Sequence, residues 1–318
     1  MRALSAGWLF FVAAMAMAQD YPSKPIRMLI PFAPGGAVDT TARILTLKMT
    51  ERLGWQFVVE NRPGGNGFIA TTAVQKAAPD GYTLLMAHTG EFAVNPALFA
   101  NVPYELERDF VPITMVSDAP MLFLANSNAP FNSFQELVAQ AKAKPGFITF
   151  GSAGTGSINH LAGEWLALAA GIKLLHVPYK GGAPAAAAVA AGDVHFGVMA
   201  VPGATPHLRS GRGKVIGITS AKRSPLDASW PTPRDAGIAD LDASIWVGLF
   251  APKGTPPPIV NRLNAEVRKT LELPDLQKRF TETGSETAGM SSAEFLTRIK
   301  SDAERYKRVV QAANVKAE

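Results

Sequence analysis

The order strand, glycine-rich turn, helix, strand occurs twice in this chain, and no other feature of the sequence restricts the fold as strongly. Residues 26–32 (IRMLIPF) form a short apolar run that reads as a buried strand. APGGAVD leads from it into a helical pattern marked by Ala42, Leu45, Met49 and Leu53. Residues 55–61 (WQFVVEN) read as a second strand, followed by RPGGNG and a helix near 68–76. Asp80-Gly81 marks a turn, and residues 82–87 (YTLLMA) a third strand. The same order returns as FITF at 147–150, GSAGTGS and a helix, KLLHVPY at 173–179, KGGAPAAAAVAAG and a helix, and DVHFGVMA at 193–200. Strands alternating with helices predict a parallel sheet and an α/β fold. The punctuation also matches: Phe32 with Phe150, Gly54 with Gly171, Gly64-Gly65 with Gly181-Gly182, and Met86-Ala87 with Met199-Ala200. Four pairs in one order, at nearly constant offset, read as a pseudo-repeat and predict two α/β lobes.

Two further stretches connect the lobes. VPITMVS and PMLFLAN, within 110–126, follow each other with no helix between them, and SIWVGLFAP at 244–252 is a later strand. A chain that crosses out and back gives discontinuous domains. The expected division is 19–118 plus 247–318 for lobe 1 and 119–246 for lobe 2, with hinge strands near 112–126 and 244–251. Closing helices carry start signals. Thr255 is the expected cap of one, with Pro256 at its first position and Ile259, Leu263, Val267 and Leu271 along one face. Ser291 with Glu294, and Ser133 with Glu136, read as capping boxes. Leu296, Ile299, Ala303 and Tyr306 form the expected apolar stripe of the last helix.

Composition narrows the chemistry. The 318 residues contain no cysteine, which excludes disulfides, a thiol nucleophile, a cysteine zinc site and a lipidated cysteine. The segment at 1–18 has one basic residue, an apolar run and Ala16-Met17-Ala18, a small-residue cleavage pattern. It reads as a signal peptide cleaved after Ala18, so a periplasmic location is expected. The run is too short for a comfortable membrane span. Net charge is +5, with Lys and Arg scattered and without interleaved aromatics, which argues against nucleic-acid binding.

The candidate chemistry lies in two turns. In open α/β sheets, ligands sit beyond the carboxyl ends of strands. PFAPGGAVD at 31–39 and FGSAGTGSINH at 150–160 occupy such positions, one per lobe. Facing each other, they would aim two helix N-termini, with unpaired N–H groups and partial positive charge, into a cleft. Phe32, Ala33, Pro34, Gly35 and Gly36 form the first loop, and Asp39 lies in the first helical turn. In the second loop, Gly154 and Gly156 let the backbone approach a ligand, and Ser152, Thr155 and Ser157 add hydroxyls. His88 and Thr89 end the third strand, where cleft residues would lie. His160 falls in the first turn of its helix, a position that equally suits packing or capping. Lys180 is a candidate cleft cation or a solvated surface lysine. Asp39 either steadies its helix N-terminus or faces a ligand amine or hydroxyl. His176 and His195 read as core residues on strands.

Other uses of the loops are poorly written. GSAGTGS lacks the Lys-Ser/Thr ending of a P-loop and the spacing and acid of a dinucleotide site. It is not G-x-S-x-G. A Ser152–His160–Asp triad is possible in composition, but two members would share one loop. There is no H-E-x-x-H and no cluster at metal-ligand spacing. No catalytic residue, metal or cofactor is therefore expected.

Taken together, PFAPGGAVDTTAR, VVENRPGGNG, PDGYTLLMA, GSAGTGSINHLAGEWL, HVPYKGG and WVGLFAPKGTP resemble, in order and over nearly the whole chain from about Tyr21, the tripartite tricarboxylate transporter substrate-binding proteins, also called the Bug family. The resemblance implies a two-lobed periplasmic binding protein of type II, a Venus flytrap in which each lobe is a mixed sheet flanked by helices. It implies a small carboxylate gripped between the two loops, partly through ordered water, without catalysis. Carried over, the loop from Phe32 to Asp39 and that from Ser152 to His160 match the gripping positions, and His88, Thr89 and Gly90 the region that often reads the distal end of the ligand. Ala70 stands where the family often has a further glycine, on a helix away from the grip. Di- and tricarboxylates, acidic amino acids, nicotinate-like and aromatic acids all remain open as ligands. The implied partner is a membrane permease of a tripartite transporter, or a sensor kinase in the alternative reading, with the protein itself a monomer.

Overall fold

The computed structural model describes residues 21–224, 226–238 and 241–316, so the expected signal peptide at 1–18 lies outside the described residues. In chain order, β1 (Ile26–Ile30) is followed by α1 (Ala37–Leu53), β2 (Phe57–Asn61), α2 (Phe68–Gln75) and β3 (Thr83–His88). A long strand, β4 (Phe110–Asn126), and α3 (Phe134–Ala143) lead to β5 (Thr149–Ser152), α4 (Ile158–Ala170), β6 (Leu175–Pro178), α5 (Gly182–Ala191) and β7 (Phe196–Ala200). Then come α6 (Val201–Arg209), β8 (Gly213–Ile218), β9 (Ser244–Pro252), α7 (Pro257–Leu271), α8 (Pro274–Glu282), β10 (Glu286–Thr287) and α9 (Ser292–Ala312).

The repeat seen in the sequence is a repeat of topology. β1 lies between β2 and β3 and runs parallel to both, and β5 lies in the same way between β6 and β7. The full order is β2-β1-β3-β9-β4-β7-β5-β6, with β8 and β10 also paired to β4. Three of the four punctuation pairs take matching structural positions. Gly54 (φ 71°) and Gly171 (φ 61°) end α1 and α4 in the left-handed region that an L side chain resists, and Gly64 (φ 119°) and Gly181 (φ 111°) share a second such conformation. Met86-Ala87 and Met199-Ala200 both lie near the carboxyl ends of their strands. Phe32 and Phe150 do not correspond: Phe32 lies past the end of β1, whereas Phe150 is within β5 and fully buried. The apolar core claims the second ring, and chain direction past the strand frees the first.

β4 joins the two triplets. It pairs antiparallel with β9 over 110–120, then with β7 over 121–125, and β8 flanks the same end. The two apolar runs read from the sequence are thus one strand of 17 residues. Its register shifts against β9 between Pro112 and Thr114 and between Met115 and Ser117, bulges that raise local twist. β9 spans Ser244–Pro252, the limits read from the sequence.

The helix starts are partly as expected. Ser291 accepts from the Glu294 N–H and Glu294 returns a bond to the Ser291 N–H, a full capping box. Ser133 accepts from the Glu136 N–H, but Glu136 reaches one residue further back, to the Asn132 N–H. Thr255 does not cap α7. Its hydroxyl donates back to the Pro252 carbonyl, and Pro256 occupies the cap position, so the helix starts one residue later than expected. Ile259, Leu263, Val267 and Leu271 are buried as a stripe. On α9 the buried stripe is Phe295, Ile299, Asp302, Tyr306 and Val309, with Leu296 and Ala303 only at its margin.

α9 packs against both halves of the sheet. Phe295 meets Trp246 of β9 edge to face at 5.3 Å, and Tyr306 meets Trp165 of α4 at 5.8 Å. Full burial of each such ring is worth about 1.5–3 kcal/mol. Asp302 on the same helix accepts from Trp246 Nε1 (3.0 Å) and Arg298 Nε (2.7 Å), and Arg298 donates to Ser244 Oγ (2.9 Å). This buried polar cluster sits where β9 enters the sheet.

Candidate functional site

Each proposed loop follows the carboxyl end of the central strand of its triplet. A cavity of about 230 Å³ lies between them, lined on one side by Phe32, Asn66, His88 and Glu91 and on the other by Gly156, Ser157 and Asn159. Ile245, at the start of β9, forms part of its wall. A second cavity of about 460 Å³, more apolar, adjoins Ile245 and is lined by Gly35, Ala37, Thr41, Ala200 and Val201 among others.

The first loop is held from behind by Asp39. This buried carboxylate accepts from the Gly35 N–H (2.9 Å), Asn61 Nδ2 (2.9 Å) and Arg43 Nε (3.0 Å). Asn61 also donates to the Phe32 carbonyl at 2.9 Å. Burial alone would push the Asp39 carboxyl up, but Arg43, the Gly35 N–H and Asn61 together hold it below the usual carboxylate range. Asp39 therefore braces the loop rather than presenting a free charge, and the Gly35 N–H is spent on it. Phe32 stacks on His88 with ring centroids 4.4 Å apart and lines the cavity. Ala33, Pro34 and Gly35 are exposed, and Gly36 precedes α1, taking the Thr40 N–H on its carbonyl.

The second loop is braced from within. Ser152 is fully buried, and its Oγ lies 2.7 Å from His176 Nε2 and 3.2 Å from the Gly154 N–H nitrogen. His160 is also buried: Nδ1 accepts from the Gly156 N–H (3.1 Å), and the ring stacks on His176 at 3.6 Å with planes 13° apart. Burial, helped by the neighbouring His160, lowers the His176 pKa to about 4, so this ring is neutral near pH 7. Hydroxyl and imidazoles that composition would allow as a triad are thus a support for the loop, with Phe150 packed on both rings. Ser157 caps α4 by accepting from the His160 N–H, and its residue, like Gly156, lines the cavity. Gly154 (φ 133°) and Thr155 are half-buried in the turn.

The remaining candidates divide. His88 lines the cavity, with Nδ1 2.7 Å from Glu91. Thr89 is fully buried and ties β3 to β9: its Oγ1 donates to the Ser244 carbonyl (3.1 Å) and accepts from the Trp246 N–H (3.0 Å). Lys180 is exposed and lines neither cavity. His195 bonds the Thr149 backbone and hydroxyl at the strand start. Sequence reasoning missed Asn66, Glu91, Asn95, Asn159 and Ile245 in the lining. A signal existed for Glu91, three residues after His88, and for Asn159, in the first turn of the helix after the glycine loop. Asn159 donates to the Val198 carbonyl at 2.9 Å, tying α4 to β7.

The lining offers neutral hydrogen-bonding groups, an imidazole, the start of α4 and one carboxylate, Glu91, turned to His88, with no Lys or Arg. Among the described residues, no three of His, Asp and Glu gather to hold a metal, and no helix is long and apolar enough to cross a membrane.

Comparison with known proteins agrees with this architecture. BugT of Bordetella pertussis is 36% identical over 275 residues, covering 86% of this chain and 84% of that protein. The structure of R. palustris Rpa4515 with adipate superimposes with TM-score 0.80 at 30% identity, covering 93% of this chain and 99% of that one. MatC (Rpa3494) from Rhodopseudomonas palustris, with bound malate, gives 0.75 at 32%, covering 91% and 100%. The periplasmic binding protein BugD superimposes with TM-score 0.75 at 35% identity, covering 94% of this chain and 100% of that one, and the fold described above is shared with it. The model of the tripartite tricarboxylate transporter family receptor matches residues 41–315, and the chain belongs to that family of periplasmic solute-binding proteins.

Proposed function

We infer that this protein captures a small carboxylate in the periplasm, between two lobes, and hands it to the membrane permease of a tripartite transporter. The observation that carries this reading is the cavity of about 230 Å³ with one wall from each strand-end loop. Its size suits a ligand of a few to a dozen heavy atoms, and its neutral donors suit an anion that must later be released. Adipate and malate, bound by the two neighbours, are of this size and class.

The lobes are 19–118 with 247–318, and 119–246, moving about β4 near Asp118–Met121 and the start of β9. Phe32, His88, Gly156 and Ser157, which line the cavity, are the residues assigned to ligand contact, and Gly36, Gly154 and Thr155 complete the two loops beside them. Ser152, Asp39 and His160 act by shaping the two loops, and Thr89 by fixing His88. The ligand must favour the closed arrangement to shift the population toward it.

The test is thermal. Protein lacking residues 1–18 is unfolded and refolded to strip bound ligand, then melted against a panel of carboxylates. Ligand at about 100 times its Kd stabilises by roughly 2.7 kcal/mol. A clear rise in Tm with an acid recovered intact is the expected result. An acid consumed during the experiment, or no rise across di-, tri- and monocarboxylates, would overturn the reading.

A further inference from the structure

The cavity of about 230 Å³ is one of a pair. It is made by the start of α4, which follows the middle strand of the second triplet, facing the segment that follows β3 in the first. The cavity of about 460 Å³ is made the other way round. There the start of α1, which follows the middle strand of the first triplet, faces Ala200, Val201 and Pro202, which end β7 and begin α6 in the second. The repeat of topology therefore gives the cleft two halves, and Ile245 lines both. β4 and β9 form the floor of the larger half: Ile245 is paired with Ala119 and Val247 with Ser117, and alternate residues of a strand face the same side. Gly284 (φ +78°) lies against the far wall, where a Cβ on it would stand 2.8 Å from Val201 Cβ. Under the proposed two-lobe division this contact also crosses the cleft.

The halves differ in chemistry. α4 has no acid in its first turn, and Ile158 and Asn159, whose N–H groups have no acceptor within the helix, line the smaller half. α1 carries a carboxylate of its own there, Asp39, bonded to the Gly35 N–H. One helix start is therefore served by an anion of the chain itself, and the other is left for an anion from outside. Among the described residues, the lining of the larger half has one ionisable side chain, Glu282, and no Lys, Arg or His. Arg43 and Arg279 line an open depression beside it that shares Gly35, Thr40, Glu282 and Thr283, and Arg43 is bound to Asp39. Four hydroxyls of the larger half are engaged with one another: Thr41 Oγ1 lies 3.5 Å from Ser117 Oγ, and Thr283 Oγ1 3.2 Å from Ser285 Oγ. What remains is the apolar surface of Ala37, Ala119, Pro120, Val201, Ile245 and Val247. A carboxylate buried against it is unpaired, a cost that a ring or a branched alkyl group does not meet. The room is ample, since a cavity of about 150 Å³ accepts benzene.

We propose that the two halves form one site for a monocarboxylate with an apolar body of about the size of a phenyl ring, its carboxylate against the start of α4 and its body passing Ile245 to lie against Ala119, Val201 and Val247. This rests on the carboxylate reading above and narrows it. Ala37, Ala200 and Ile245 are then the residues that set specificity, because their size fixes the room for the body. A second carboxylate at the far end of the ligand is selected against, since it meets no cation in the larger half and faces Glu282.

The experiment is isothermal titration of the stripped protein with propionate, 3-phenylpropionate, 3-(4-carboxyphenyl)propionate, adipate and malate, the weak acids being measured by displacement. Wild type is expected to bind 3-phenylpropionate about 10- to 150-fold more tightly than propionate, the range for burying one ring. It is also expected to prefer 3-phenylpropionate to each of the three dicarboxylates. Ala37→Leu and Ala200→Leu, one on each wall and both at exposed positions, fill the larger half. Each is expected to bring the ratio of the propionate and 3-phenylpropionate Kd values down toward one, and either serves if the other does not fold. A merely structural effect would weaken both acids alike and leave the ratio where it was. A dicarboxylate bound more tightly than 3-phenylpropionate, or a ring preference kept in the folded variants, overturns the proposal and leaves the carboxylate reading standing. Failure of wild type to bind any of the five acids overturns both.

Discussion

Leu98 closes on Gly156 so tightly that a Cβ on the glycine would lie 2.6 Å from Leu98 Cδ2. Leu98 follows the Gly90–Asn95 wall of the cavity and Gly156 belongs to the opposite loop, so under the proposed two-lobe closure this is a contact across the cleft. Gly156 also has φ +76°, a conformation that costs an L residue about 1–2 kcal/mol. Gly156→Ala is expected to weaken ligand binding about 5- to 150-fold, the range given by 1–3 kcal/mol of overpacking. Adding Leu98→Ala should recover the steric part and leave the backbone part. Calorimetric Kd values for the two single variants and the double variant test this, and additive effects would show that the contact is not made in the bound state.

Asp39 tests how far a loop depends on its brace. Asp39→Ala removes the acceptor of the Gly35 N–H, Asn61 and Arg43 at once. Stability should fall by about 1–3 kcal/mol, the usual cost of unpaired buried donors. Affinity should fall further than stability alone accounts for, because the loop at Phe32 loosens. The pH response has a defined sign. A carboxyl held below its usual range contributes stability above about pH 4, which is lost as pH falls through the lower folded value. Amide exchange at 33–38 reads the loop directly, and unchanged protection there in the variant would reject the brace.

Much of this was legible in the residues and some was not, for identifiable reasons. The alternation of apolar runs with glycine turns located β1, β3, β7 and β9 to within a few residues, since burial on both faces leaves strands that read as continuous apolar runs. The two loops were equally plain, because Gly35, Gly154 and Gly156 adopt backbone conformations that other residues resist. Side-chain direction was not legible. Ser152 looks like a ligand hydroxyl until His176, 24 residues later, is found 2.7 Å away. Thr89 looks like a cavity residue until Ser244 and Trp246, more than 150 residues distant, claim its hydroxyl. Ile245 gave no signal at all, since an isoleucine opening an apolar strand is ordinary core by pattern. Long-range partners decide these cases, and sequence spacing carries no information about them.

The stacked pair His160–His176 predicts an acid-sensitive second loop. The unfolded chain binds a proton at His176 near its ordinary value of 6.5, whereas the folded ring, lowered to about 4, does not. Between these values the unfolded state holds more protons, so stability falls as pH drops from 6.5 to about 4 and this contribution changes no further below that. His176→Gln keeps a polar partner for Ser152 without titrating. Its urea midpoint should depend less on pH than that of wild type within this window, and parallel curves for the two proteins would mean that the ring is not held neutral.

The cluster at the entry of β9 predicts where the fold is most easily broken. Arg298 bonds Asp302 and Ser244 and lies 3.5 Å from Asp118 on β4, while Asp302 also accepts from the Trp246 indole Nε1–H. Three elements therefore meet on one guanidinium: β4, β9 and α9. Asp302→Ala leaves Arg298 with Asp118 and the Ser244 hydroxyl, and Trp246 Nε1 without its acceptor. The loss of one partner from a buried pair costs about 3–5 kcal/mol, and partial exposure of Arg298 with retention of Asp118 puts the expected cost at about 2–4. Replacing both charges, Asp302→Leu with Arg298→Met, should cost less than Asp302→Ala, because the guanidinium is removed together with its most buried carboxylate and the charge left without its cation is the more exposed Asp118. The urea midpoint at constant slope is the measurement. If the double variant is the less stable, the cluster holds the strands through its hydrogen bonds to Ser244 and Trp246. If it is the more stable, the charges are kept for the geometry they impose on the strands where β4 passes from one triplet to the other, at some expense in stability.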